Sequence, residues 1–181
     1  MPSLRILKRD IRRRYSEMYI NSVNSHDPTL FAKFLTQFCI PNVQFEKKQS
    51  INMDSCPGES VPPLIGVDQI VTVIGSIFLY SPDLVFRLKS TTVTLREGET
   101  GATISSGITF KATRIYESNF PPQHPSPSLN MNFNPSELKL TPNPTEVHMD
   151  GVFTIKVDNM NRITSIQMHC KSFVEKLVRL P

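Results

Sequence analysis

His148 and Asp150 stand two residues apart in the alternating run Glu146 to Val157, so on a β-strand their side chains share one face. That spacing suits an imidazole and a carboxylate passing a proton between them. The same alternation puts Gly151, Phe153 and Ile155 on the other face, so a regular strand points the pair away from the apolar side. His169 has opposite parity to Ile166, Met168 and Cys170 and is expected to point away from them. His26 precedes Asp27 in a turn, and His124 lies in a proline-rich segment. Glu46 closes a short alternating run, Val43-Gln44-Phe45-Glu46, but Lys47 and Lys48 follow it. Their charges would lower a carboxylate's pKa, the wrong direction for a base poised near neutrality.

No Ser, His and Asp set, glycine-rich phosphate loop or metal-ligand spacing stands out. Cys39, Cys56 and Cys170 are widely spaced, odd in number and without a C-x-x-C pattern, so neither a disulfide framework nor a zinc site is expected. The reading is a reduced, intracellular protein, cytosolic or nuclear, with no metal and no cofactor.

The elements that must position these residues follow from periodicity. From Leu4 to about Ser25, Leu7, Ile11, Tyr15, Met18 and Ser22/Val23 recur at helical spacing with arginines on the other side. Asp27 followed by Pro28 reads as an N-cap with proline at the first helical position, and Leu30, Phe31, Phe34, Leu35 and Phe38 give that second helix an apolar face ended by Pro41. Residues 47 to 65 hold Pro57, Gly58, Pro62 and Pro63 and read as loop with one short irregular strand at most. Gly66-Val67-Asp68 opens a third helix, too apolar to be solvated all round, and Ser81-Pro82-Asp83 stops it. Leu84 to Arg96 and Ala102 to Tyr116 alternate as paired strands, with Gly101 and Gly107 suited to a turn and a bulge. A last pair runs from Glu146 to Val157 and from Arg162 to about Val174, around Asp158-Asn159-Met160-Asn161. Between the pairs, residues 118 to 145 hold seven prolines, a density that cannot join a sheet ladder. This segment is expected to be an inserted loop, a lid or a mobile excursion.

At 181 residues the chain suits one domain, residues 1 to 181, large enough to bury roughly 70% of its unfolded surface. Residues 1 to 9 would form a basic helical extension. A composition of 39% hydrophobic and 20% charged residues is that of a folded globule. No stretch approaches the ~20 apolar residues of a membrane span. Of the net charge of +4, the first 14 residues carry six basic side chains against Asp10, so +5, and the remaining 167 carry −1. Arg5, Lys8, Arg9, Arg12 and Arg13 therefore form either a solvated helix face or a contact for nucleic acid or an acidic partner.

Helix, helix, short strand, helix and four long strands in two hairpins resemble the nuclear transport factor 2-like superfamily, which includes SnoaL-like proteins and ketosteroid isomerase. Tyr19 to Asp27 is similar to its first-helix ending, Asn42-Val43-Gln44-Phe45-Glu46 to its first strand, and Gly66-Val67-Asp68-Gln69-Ile70 to the opening of its third helix. Asp150 to Asp158 with Arg162 to Ile166 resembles its final hairpin. The resemblance implies an α+β fold, a cone-shaped curved antiparallel sheet wrapped around a long N-terminal helix (a cystatin-like α+β barrel), with three helices before the main strands. It also implies a pocket at the open end and a homodimer through the outer sheet face.

In the resembling isomerases a first-helix Tyr donates to the developing enolate oxygen and a first-strand carboxylate shuttles the proton. Tyr19 falls on the first position, and Glu46 on or next to the second. Where those enzymes place a protonated Asp, this chain has Phe153, which cannot donate a hydrogen bond. An oxyanion donor is worth roughly 3 to 4 kcal/mol, so steroid isomerisation is disfavoured. The implied pocket would be lined by Tyr19, Phe86, Leu88, Phe153, Ile155, Ile166, Met168 and Cys170. Such a lining suits a hydrophobic small molecule, and equally a collapsed core. The expectation is a SnoaL-like domain that binds such a molecule, or a partner protein, through its cavity or sheet. The alternatives are an isomerase, cyclase or dehydratase using Tyr19 and Glu46, and a dimerisation or regulatory module whose basic helix meets an acidic partner or nucleic acid.

Overall fold

The computed structural model describes residues 4–49, 62–95, 101–116 and 140–178. The chain opens with one helical run made of α1 (Leu4–Ile11), a π-helical stretch (Arg12–Glu17) and α2 (Met18–Asn24). The wider i→i+5 turn changes which residues face inward. Beyond it Tyr15, Ser16, Tyr19, Ile20 and Val23 are buried, whereas Met18 is exposed. The expected stripe through Leu7, Ile11, Tyr15, Met18 and Ser22/Val23 therefore holds at Tyr15 and Val23 and is corrected at Met18 and at Leu7, which is also exposed.

Helix α3 (Pro28–Phe38) begins as its local chemistry dictates. Asp27 Oδ1 accepts from the Thr29 and Leu30 backbone N–H groups at 2.8 and 3.4 Å, and Pro28 fills the first turn, where its missing N–H costs nothing. Phe31, Phe34 and Leu35 face the core, but Leu30 lies in solvent. Asp27→Ala is expected to cost about 1 kcal/mol, read as a lower urea midpoint at unchanged m-value, with Asp27→Asn keeping most of it.

Strand β1 (Cys39–Gln49) starts earlier than the alternation suggested, directly after the helix. Pro41 sits inside it, in the stretch from Cys39 to Gln44 where the pairing register shifts, so its lack of an N–H breaks no regular ladder. After the two-residue β2 (Leu64–Ile65), Gly66 adopts φ 87°, a left-handed conformation that favours glycine, and starts α4 (Val67–Tyr80).

The remaining strands are β3 (Val85–Leu95), β4 (Ala102–Tyr116), β5 (Leu140–Val157) and β6 (Ile163–Leu177), and the six lie in the order β2-β1-β6-β5-β4-β3. All neighbours pair antiparallel except β1 and β6, which run parallel, so the sheet is mixed rather than antiparallel. Strand β5 begins at Leu140, six residues inside the segment expected to be an insertion. Pro142 and Pro144 fall where the register jumps between Arg114 opposite Thr145 and Tyr116 opposite Leu140. The rest of that insertion, residues 118 to 139, lies outside the described residues. Register shifts at Leu88/Ser90, Asp150/Gly151 and Lys156/Val157 bend the sheet, because an extra residue on one strand sharpens its twist.

The concave side of this curved sheet packs against the helices and holds the core. The convex side is polar and laced by charges. Lys89 Nζ lies 2.5 Å from Asp150, while Lys111 and His148 lie 2.9 and 2.5 Å from Glu146. The hydrogen bonds from His148 and Lys111 pull the Glu146 carboxyl down to about 2, and Lys89 lowers Asp150. A depressed folded-state pKa means that the unfolded chain takes up protons first as the pH falls. The stability from Glu146 is present above about pH 4.5 and lost toward pH 2, so Glu146→Gln should flatten the acid limb of denaturation midpoint against pH in that window.

Candidate functional site

The first helical run is held over the concave face by polar contacts at its middle and at its C-terminal end. At the middle the Tyr15 hydroxyl donates to the Asn161 carbonyl at 2.8 Å, in the β5–β6 turn. Asp158 Oδ1 shapes that turn by accepting from the Met160 and Arg162 N–H groups, each at 2.9 Å, and Asn161 takes the left-handed φ of 61°. At the C-terminal end the Asn24 amide brackets Phe86, donating to its carbonyl at 2.9 Å and accepting from its N–H at 2.8 Å. Asn24 thus stands in for a neighbouring strand along the edge of β3. His26, with φ 55°, donates through Nε2 to the Leu84 carbonyl beside it. Losing both Asn24 bonds leaves two backbone groups without partners, so Asn24→Ala is expected to destabilise by about 2 kcal/mol, visible as a fall in thermal midpoint.

Between those anchors Tyr19 is buried against the sheet. Its ring lies 4.6 Å from that of Phe153 and meets Phe31 and Phe34 edge-on, each at 5.8 Å. Burial pushes the phenol well above its ordinary pKa, and the neighbouring Cys39 adds to the shift, so the hydroxyl keeps its proton. Among the described residues none is recorded in a hydrogen bond with it. Burial likewise pushes the Cys39 thiol up to about 12, partly offset by Arg162, so it does not act as a thiolate near neutral pH.

The concave face of β5 and β6 brings together the residues that parity selected. Phe153 stands opposite Met168, Ile155 opposite Ile166, and Gly151 opposite Cys170. All five of the side chains expected to line that wall are buried. Phe86 and Leu88 lie on the same concave side two strands away, half-buried, with Phe86 5.0 Å edge-on from the equally half-buried Phe110. Phe31, Phe34 and Phe110 were not foreseen as neighbours of the site. Their sequence signal is only the apolar face of a helix and one position in a strand.

Glu46 is not part of this constellation. It pairs with Gln167 across β1 and β6 on the convex face, accepting from Gln167 Nε2 at 3.0 Å with Lys48 at 3.5 Å, while Phe45 takes the inward direction. Tyr19 and Glu46 therefore lie on opposite faces and do not converge, against the alternative in which both serve one reaction. His148 and Asp150 face the convex side, as strand parity predicts, and His169 is exposed. The buried polar side chains among the described residues are Ser16 and Ser106. Thr91, Ser106 and Ser16 form a row of hydroxyls at 3.0 and 3.4 Å from the β3 edge to the first helix. No group of three potential metal ligands occurs among the described residues. No helix among them is long and apolar enough to cross a membrane.

A mixed, curved sheet packed on a first helix is the fold of solved SnoaL-like proteins, and this chain has that fold. A protein from Kribbella flavida superposes with a TM-score of 0.59 at 11% identity, covering 94% of this chain and 95% of the other. A candidate SnoaL-like polyketide cyclase from Jannaschia superposes at 0.55 with 9% identity, covering 94% and 90%. A Mycobacterium tuberculosis protein solved in complex with estradiol-17beta-hemisuccinate superposes at 0.50 with 12% identity, covering 84% and 88%. No family model and no curated protein matches the sequence.

Proposed function

We propose that this domain binds a hydrophobic small molecule on the concave side of its sheet, at the wall formed by Phe86, Leu88 and Phe110. One observation carries the reading. These three apolar side chains face the concave side yet stay half-buried, while Leu84 and Ile108 beside them are closed off completely. Apolar surface left open on the concave wall of a rigid sheet is where a ligand gains most by excluding water. The steroid conjugate held by one fold neighbour is consistent with an apolar guest in this kind of fold.

Binding without acid–base chemistry fits better than the isomerase, cyclase or dehydratase reading. Tyr19 is a protonated donor with Phe153 against its ring, Glu46 is on the other face, and no Asp, Glu or His is buried among the described residues.

The test is titration with a fluorescent anilinonaphthalene probe, alongside mass spectrometry of material that co-purifies under native conditions. Saturable binding is expected, and Leu88→Glu should weaken it about tenfold or more without changing the far-ultraviolet spectrum. A probe that shows no saturation, or that binds Leu88→Glu as tightly as the parent, would remove the proposal. Glu46→Gln is expected to leave binding unchanged.

A further inference from the structure

The positive charge of this chain is gathered on one helical face. With 100° between successive residues of α1, Arg5, Lys8 and Arg9 fall within about 100° of arc, and the exposed Arg12 and Arg13 follow at the start of the π-helical stretch. All are exposed except Lys8, which is half-buried. Ile11, about 110° around the helix from the middle of that arc, packs against the core, while Arg5, Arg9, Arg12 and Arg13 are exposed, so the cationic face looks outward. The ion pairs recorded on this face are Arg9 with Asp10 at 3.7 Å and Arg12 with Glu17 at 3.2 Å. Both lie in solvent, where such pairs are worth about 0 to 1 kcal/mol and exchange readily for another anion. Among the described residues no carboxylate pairs with Arg5, Lys8 or Arg13.

We propose that this face binds nucleic acid through its phosphate backbone, independently of the ligand site. From Arg5 to Arg12 the helix rises about 10 Å, the axial span of about four consecutive phosphates on one strand of a duplex. Exposed guanidinium groups spaced along one face suit phosphate oxygens, which they can bind bidentately. A membrane surface fits less well, because an interfacial helix needs a continuous apolar face turned toward the lipid. Here Ile11 is turned to the protein, and Asp10 stands between the exposed Ile6 and Leu7 on the helix surface.

Fluorescence anisotropy with a labelled 20-base-pair DNA duplex and a 20-nucleotide single-stranded RNA tests this on the full chain. Binding to at least one is expected at 50 mM salt, weakening about a hundredfold by 200 mM, as four phosphate contacts predict. The triple variant Arg5→Glu, Lys8→Glu, Arg9→Glu should lose at least tenfold, while Arg5→Lys with Arg9→Lys keeps most of the affinity. The same charge change placed at Lys47, Lys48 and Lys171 should cost less than threefold. Three results would each overturn the proposal: no binding at 50 mM salt, equal losses in the two triple variants, or phosphatidylserine vesicles or polyglutamate binding as tightly as the nucleic acids. Leu88→Glu keeps nucleic-acid binding if the two surfaces are independent, so failure of the ligand reading and failure of this one are distinguishable.

Discussion

Phe153→Ala is expected to destabilise the domain by about 3 to 5 kcal/mol, lowering the thermal midpoint by about 10 °C. The side chain is 0% exposed, lies on the concave face of β5 and has the Tyr19 ring 4.6 Å away, with Phe31 and Phe34 behind that ring. Truncation removes apolar contact from both the helix and the sheet and leaves a cavity that a curved sheet and a doubly anchored helix cannot collapse to fill. Phe153→Leu should cost under about 2 kcal/mol because most of the volume is kept. The alanine variant also carries a functional readout. A dry apolar cavity of this size admits small aromatic guests, so benzene should raise its midpoint and leave the parent's unchanged. Equal midpoints for Phe153→Ala and the parent would mean that Tyr19 and the sheet are not in contact, and the site described above would fall with that result.

Gly151→Val should be comparably severe, for a different reason. A Cβ at Gly151 would come within 2.5 Å of the His169 carbonyl oxygen and 3.5 Å of the Cys170 Cα, which are backbone atoms of the neighbouring strand and cannot rotate away. The position adjoins the register shift in which β5 and β6 pass from Asp150 opposite Ser172 to Gly151 opposite Cys170. Any side chain there must push β6 outward and flatten the bend, at a cost of about 3 kcal/mol or more. Because Phe153 and Met168 are the next pair on the same face of the ladder, the displacement should also reach the wall beside Tyr19. Loss of near-ultraviolet ellipticity with far-ultraviolet signal retained would mark that loosening, whereas a parent-like denaturation midpoint would refute the close approach.

Much of the fold was legible because it rests on local chemistry. The Asp27-Pro28 start, the glycine at 66, the Asp158 to Asn161 turn and the pairing of four alternating strands each depend on a few adjacent residues. Strand parity likewise sorted Phe153 and Ile155 from His148 and Asp150. The order and spacing of these elements carry the resemblance, and the structure has the fold of SnoaL-like proteins.

What adjacent residues cannot specify was decided in three dimensions. The π-helical turn rotates Tyr19 and Ile20 inward and Met18 outward, and its effect is set by the sheet that buries them. The parallel pairing of β1 with β6 sends Glu46 to Gln167 on the convex face, and no period-two pattern can say which face of a strand will be covered. Whether apolar residues line a hollow or fill it depends on how closely the helices approach the sheet: here Phe153 is closed under Tyr19, while Phe86, Leu88 and Phe110 remain partly open. The chain by itself determined its elements, their caps and its charge distribution, all short-range properties. Tertiary structure alone decided which side chains meet, because strand register and helix packing join residues more than a hundred positions apart, as with Tyr15 and Asn161.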